Sequence, residues 1–194
     1  SIARQREAEA EKKLDAQLIE IYQTELVDDG YSFVGGNPDG DITIVEFVDY
    51  RCGYCRKAHE DIEALLKRDG NIRFIIKEFP VLGDASMISA QFAIAVKHLH
   101  GDEAYKMVHD TLIYLTEEPT PEALVNIASA FGLAPTPIIK WMMNDKVIEE
   151  INNNRDLGEK MRINGTPTFL LGDELLRGYL PLETMVELVD KARQ

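Results

Sequence analysis

The two cysteines of this chain stand together as Cys52-Gly53-Tyr54-Cys55, directly behind the apolar, β-branched run Ile42-Thr43-Ile44-Val45-Glu46-Phe47-Val48. Such a run predicts a strand, and a C-x-x-C behind it predicts a dithiol redox centre opening a helix. The chemistry needs a thiolate, which forms where the first sulfur meets the partial positive charge of a helix N-terminus. It also needs a second thiol within bonding reach, and positions i and i+3 of one helical turn supply it.

Two other uses of the pair compete. Buried packing cysteines fit poorly, because Asp49-Tyr50-Arg51 precedes the pair and Arg56-Lys57 follows it. A metal site is the sharper rival: His59 follows Cys55 by four positions and would give three soft or borderline ligands with Cys52 and Cys55. Structural zinc usually wants four protein ligands, and no second C-x-x-C or paired histidine follows. A thiolate pair can still take Cu(I), so a copper or zinc carrier stands as the alternative of another class. The expectation here is no metal and no cofactor beyond a redox-active Cys52–Cys55 disulfide.

At 194 residues the chain predicts one domain, or one domain with an insertion or appendage. A formal charge of −13 argues against nucleic acid or an anionic membrane surface as partner. No apolar run approaches the ~18 residues of a membrane span, which predicts a soluble chain. Residues 1–28 are charged and helix-forming rather than apolar, unlike a secretory signal peptide. A start at Ser1 suggests processing, with any leader already removed. One C-x-x-C bridge closes only a tiny loop, so the cysteines form no structural framework, and their count leaves the redox compartment open.

Residues 1–28 read as a helix, with Leu14, Leu18 and Ile21 at a/d spacing among many charges. It is either an amphipathic helix lying on the domain or an oligomerisation arm. Asp28-Asp29-Gly30 ends it, and Gly35-Gly36-Asn37-Pro38-Asp39-Gly40 forms a turn cluster. The strand Ile42 to Val48, a helix from Gly53 to Arg68 and a strand Ile72 to Phe79 make a βαβ unit with parallel strands. From Ala85 to Met161 the pattern is helical, with candidates at Ala85–Leu99, Asp102–Leu115, Pro121–Phe131 and Asp145–Met161. This stretch exceeds an ordinary crossover and predicts an inserted helical subdomain. Behind Asn164-Gly165-Thr166-Pro167 come a strand Thr168–Leu171, a Gly172-Asp173 turn, a short strand near Leu175–Tyr179 and a terminal helix opened by Pro181. The division expected is an arm over 1–30, a core domain over 31–84 and 162–194, and the insert over 85–161.

That order, with C-x-x-C at the first helix and Thr166-Pro167 before the hairpin, resembles the DsbA-like branch of the thioredoxin superfamily over residues 41–193. The run Glu46-Phe47-Val48-Asp49-Tyr50-Arg51-Cys52-Gly53-Tyr54-Cys55 is most similar to ScsC-like and Com1-like bacterial proteins. The fold expected is therefore α/β, a thioredoxin fold with an inserted helical subdomain and an N-terminal helical arm. The resemblance implies that Pro167 is cis and faces the disulfide across the active-site groove; from the residues alone, Asn-Gly-Thr-Pro only permits a turn with a cis bond. Glu46 resembles the buried acid of thioredoxin-like proteins, and burial would raise its pKa and let it exchange protons with the Cys55 sulfur. The competing reading of Glu46 is a carboxylate reaching solvent or a salt bridge, with Lys77 as its partner or an ordinary exposed lysine. His98, His100 and His109 lack ligand spacing and read as surface or satisfied core residues, and Trp141-Met142-Met143 as core or groove lining.

The activity expected is thiol–disulfide exchange on unfolded or misfolded proteins, with Cys52 as nucleophile, Cys55 as resolving thiol and Glu46 as proton shuttle. Gly53 and Tyr54 would tune the Cys52 thiolate, and the backbone at Thr166 would pair with an extended substrate segment, as the superfamily does. Gly53-Tyr54 and Thr166 resemble the isomerase pattern, whereas DsbA carries valine before the cis-proline; this leans the reading to isomerase or reductase, with a DsbA-like oxidase as the alternative. The resemblance further implies a periplasmic location, a membrane or soluble redox partner that recycles the dithiol, and a homo-oligomer built through the N-terminal helix.

Overall fold

The computed structural model describes all 194 residues. Its centre is a sheet of five strands: β1 (Phe33–Gly36), β2 (Ile42–Val48), β3 (Ile72–Glu78), β4 (Thr168–Leu171) and β5 (Glu174–Arg177). Their order is β1-β3-β2-β4-β5. β2 and β3 run parallel with Glu46 opposite Ile76 and Val48 opposite Glu78, as the βαβ reading requires. The other pairings, β1 with β3, β2 with β4 and β4 with β5, are antiparallel, the last being the expected hairpin. This mixed α/β arrangement is the expected thioredoxin-type core.

Side chains alternate across the sheet, so β2 and β3 bury both faces. Ile44, Val48, Phe74 and Ile76 enter one core with Ala58, Ile62 and Leu65 of α3 (Gly53–Arg68) and Met185 and Val189 of the terminal helix (Leu182–Ala192). Val45, Phe47 and Ile75 enter a second core on the other face. That core is closed by Ile19 of α1 (Ile2–Ile21), Leu26 of α2 (Gln23–Val27) and residues 157–163.

Five helices lie between β3 and β4: α4 (Asp84–His100), α5 (Asp102–Tyr114), α6 (Pro121–Ala130), α7 (Pro135–Trp141) and α8 (Asp145–Lys160). The terminal helix is α9. Four of the five match the periodic segments of the sequence. α7 does not: Pro135 and Pro137 read as breakers, yet both fall in its first turn, where an amide N–H has no intrahelical acceptor to lose.

Two other expectations are corrected. Gly35 and Gly36 belong to a strand and not to the turn cluster, because the edge of β3 is open to pair with them; a side chain on Gly36, at φ 62°, would strike the Ile72 carbonyl. The N-terminal helix breaks at Tyr22 (φ −103°, ψ 24°), which turns α2 back onto the sheet. Asp15 and Ile19 are buried, and Arg177 of β5 grips the Asp15 carboxylate with contacts of 2.8 and 3.0 Å. The second half of α1 therefore lies on the domain, while residues 1–13 are exposed on all sides. No helix is long and apolar enough to cross a membrane.

Candidate active site

β2 delivers the chain to its C-terminal edge, where Asp49 shapes the turn into α3. Its buried carboxylate accepts from the N–H groups of Arg51 (2.8 Å), Val81 (2.8 Å) and Leu82 (3.1 Å) and from the Ser86 hydroxyl (2.7 Å). One acid thus ties the loop before Cys52 to the loop after β3. Arg51 and Arg56 bracket the cysteines and donate to carbonyls at the end of α5: Arg51 to Leu115 (3.0 Å) and Glu117 (2.9 Å), and Arg56 to Ile113 (2.8 Å). Each guanidinium satisfies carbonyls that the end of a helix leaves free and pins the helical insert to the site.

Cys52 occupies the N-cap position of α3, and Cys55 lies one turn inside. Both are free thiols. The Cys52 thiol is pulled down to about 5, first by the hydrogen bond from the Cys55 thiol, against burial, and further by Thr166 and the N–H groups of Cys55 and Tyr54. Cys55 is pushed the other way, above the ordinary thiol range, by its hydrogen bond to Cys52, by burial and by the charge of Glu46. The pair is asymmetric: a stable thiolate at the helix end and a protonated thiol behind it, which is 1% exposed.

Glu46 stands on the sheet face beneath the pair. It is buried, and burial, followed by the charges of Glu78 and Cys52, pushes its carboxyl up to about 8. Across the groove the Thr166-Pro167 peptide is cis, and the Cys52 thiol points at the Thr166 carbonyl at 3.3 Å. The loop is anchored by the Gly178 N–H on the Pro167 carbonyl (2.8 Å) and the Thr168 hydroxyl on Gly165 (2.8 Å). Gly53 and Tyr54 sit on the open rim, with the Tyr54 side chain 64% exposed. Cys52, Cys55, Glu46, Thr166 and Pro167 are thereby gathered from three separated segments.

Two residues weighed for this site lie elsewhere. His59 does not face the cysteines; its Nε2 is 3.2 Å from Asp110 Oδ1, and its ring packs against His109 and Tyr114. α3 turns position 59 toward the helical insert, so the three-ligand metal set does not form. Lys77 is neither exposed nor a partner of Glu46. It is fully buried on the opposite face, paired with Asp29 at 2.5 Å, because neighbouring residues on β3 alternate sides and Lys77 stands opposite Phe47.

Sequence reasoning passed over Glu78, buried at the end of β3, where the Tyr50 and Tyr105 hydroxyls donate to its Oε1 at 2.6 and 2.5 Å. The signal was the one that exposed Glu46, an acid inside an apolar strand. His109 is a satisfied core histidine on the Tyr50 hydroxyl at 2.7 Å, whereas His98 stacks on Trp141 near the surface.

Four known proteins are similar to this chain. The thiol-disulfide exchange protein α-DsbA2 of Wolbachia pipientis superposes with a TM-score of 0.86 at 28% identity, covering 94% of this chain and 97% of that one. The catalytic domain of Proteus mirabilis ScsC shares the fold with a TM-score of 0.82 at 22% identity, over 91% of this chain and 97% of that domain. Disulfide bond formation protein D of Bacillus subtilis is 25% identical over 166 residues, 80% of this chain and 74% of that protein. The chain also matches a Na(+)/H(+) antiporter NhaA of Salinispora arenicola at 27% identity, spanning 86% of this chain but only 25% of that protein. A thioredoxin family model matches residues 28–191, and the chain belongs to the thioredoxin family, in its DsbA-like branch.

Proposed function

We propose that the chain is a thiol–disulfide oxidoreductase that acts on unfolded or misfolded proteins through Cys52 and Cys55. The observation that carries this reading is the asymmetric pair itself, a thiol drawn down to about 5 at a helix N-terminus facing the cis Thr166-Pro167 loop. Cys52 forms the mixed disulfide, and Cys55 resolves it or is released from it. Glu46 takes or gives the Cys55 proton, as its raised carboxyl suits at neutral pH. The Thr166 N–H has no partner within the chain and is available to an added substrate strand. Tyr54, Val81 and Leu82, 64, 44 and 56% exposed around the Asp49 loops, offer apolar contacts that suit non-native substrates.

The direction we favour is isomerisation or reduction, on the Gly53-Tyr54 pair and Thr166. One observation favours the oxidase instead: a stabilised Cys52 thiolate stabilises the dithiol, which makes the disulfide the stronger oxidant. A copper or zinc carrier is weakened by the loss of His59 as third ligand. We place the protein in the periplasm, in line with its DsbA-like relatives, recycled by a membrane or soluble redox partner and assembled through the N-terminal helix, whose residues 1–13 are exposed. Parallel assays of oxidation of a reduced substrate and repair of a scrambled one test the direction. Faster repair supports the isomerase and faster oxidation the oxidase; activity that survives Cys52→Ala in both assays would overturn the dithiol mechanism.

A further inference from the structure

We infer that Arg162, with Arg155 beside it, selects substrates that carry an acidic side chain within about four residues of the cysteine that meets Cys52. The inference rests on the oxidoreductase reading and names a specificity-determining residue for that reaction.

Two clefts meet at Asn164. One, of about 320 Å³, runs along Thr166 and Pro167 to Arg177 and Gly178, and it is the groove in which the Cys52 thiol points at the Thr166 carbonyl. The other, of about 380 Å³, continues past Asn164 between the end of α8 and the loop after β3, lined by Pro80, Val81, Arg155, Glu159 and Arg162. Val81 belongs at once to this cleft and to the exposed apolar rim of the site. A substrate strand laid on Thr166 and extending toward Asn164 therefore enters the second cleft. Arg162 precedes Thr166 by four residues, so their Cα atoms are at most ~14 Å apart, about four residues of extended chain.

Three arginines line the two clefts, and their charges differ in what they already hold. Arg177 is neutralised, with the Asp15 carboxylate at 2.8 and 3.0 Å and Glu11 at 3.6 Å. Arg155 gives Nε and Nη2 to the Pro80 carbonyl at 3.3 and 2.9 Å, which fixes its guanidinium on the wall and leaves Nη1 unused. Arg162 is exposed, and its guanidinium has no hydrogen-bond or ion-pair partner in the chain. Glu159, the one carboxylate on the wall, pairs with neither arginine.

Arg162 also stands where the backbone disfavours it. Its φ is 59°, and every other residue with positive φ is a glycine. It follows the C-cap Met161 of α8, a position that glycine usually fills. The duty of a cation at a helix end does not account for it, because the carbonyls of Leu157, Gly158 and Glu159 are taken by the N–H groups of Met161, Ile163 and Arg162. What arginine adds over glycine here is a charged side chain in the cleft.

Charge then names the occupant. A chain of net charge −13 repels an acidic segment at long range, so only a local cation makes such a segment a preferred substrate. A carboxylate in the second cleft meets Arg162 and the free Nη1 of Arg155, both donors of charge-assisted hydrogen bonds. Arg177 offers no such free charge, so the preference holds only on the Asn164 side of the substrate cysteine.

The test reacts the oxidised full chain with reduced single-cysteine peptides that carry glutamates or lysines within about four residues of the cysteine, on one side or the other. The Cys52-linked mixed disulfide is followed by mass spectrometry after acid quenching, and each rate is divided by that peptide's rate with a small aromatic disulfide, which removes differences in thiol reactivity. At low salt, glutamate peptides should react about fivefold faster than lysine peptides when the charges lie on one particular side, the scale of an exposed ion pair. Raising salt to ~0.5 M should abolish the difference. Whole-chain charge alone predicts the opposite order. Arg162→Gly, which suits the left-handed backbone, should fold as the parent does and lose or reverse the preference, whereas Lys140→Gln on α7 removes the same charge and should keep it. Equal rates or faster lysine peptides in the parent, or a preference that survives Arg162→Gly, would overturn the subsite. Failure of every peptide to form a Cys52-linked product would overturn the oxidoreductase reading and the subsite with it.

Discussion

Alkylation of the reduced chain by iodoacetamide should follow the Cys52 thiolate with a midpoint at about 5, and Cys55→Ala should raise that midpoint without returning it to the ordinary thiol value. The first cause holding Cys52 low is the hydrogen bond from the Cys55 thiol, which alanine removes. A hydrogen bond to a charged group contributes ~1.5–3 kcal/mol, and ~1.36 kcal/mol moves a pKa by one unit, so the midpoint should rise to about 6–7. Thr166 and the N–H groups of Tyr54 and residue 55 survive the change and keep it below the ~8.5 of a free thiol. The difference in thiolate is largest midway between the two midpoints, at pH ~5.5–6, where the parent is about 75–90% ionised and the variant about 10–25%. Alkylation rates between pH 4 and 9 give both curves. A parent midpoint at or above ~8.5 would refute helix-end activation, and coincident curves would refute the role of Cys55.

The other predictions concern stability and assembly. Glu46 is raised from 4.5 to about 8, so the stability it contributes is complete below 4.5 and is lost as pH rises toward 8. Glu46→Gln should remove a slope of up to ~1.4 kcal/mol per pH unit from urea-unfolding free energies between pH 5 and 8; an unchanged slope would mean that Glu46 is not buried. Lys77→Met should cost ~3–5 kcal/mol in urea unfolding, because it strands the Asp29 carboxylate, and a cost under ~1 kcal/mol would refute a buried pair. Removing residues 1–13 should convert an oligomer to a monomer by light scattering with little loss of stability, whereas removing 1–28 strips Ile19 and Leu26 from the second core, each worth ~1.5–3 kcal/mol. A full chain that is monomeric at tens of micromolar would refute the arm.

What the sequence determined is local. The run Ile42–Val48, the spacing of Cys52 and Cys55 and the Thr166-Pro167 turn each declare themselves over a few residues, through backbone preference and periodicity. Those signals sufficed for the βαβ unit, the hairpin, four of the five insert helices and the dithiol at a helix start. Partnership between distant residues was decided only by the tertiary structure. Gly35 and Gly36 become a strand because β3 offers an open edge, and His59 turns to Asp110 because α5 packs on that side of α3. Lys77 and Glu46 are close on neighbouring strands yet face opposite cores, since one residue of register reverses a side chain's face. Glu78, Tyr50 and His109 come from a strand, a loop and a helix of the insert, and a hydrogen-bonded chain among them leaves no spacing in the sequence to read. Those contacts exist only because folding removes water from all three together, leaving Glu78 Oε1, the Tyr50 hydroxyl and His109 Nδ1 to pair with one another.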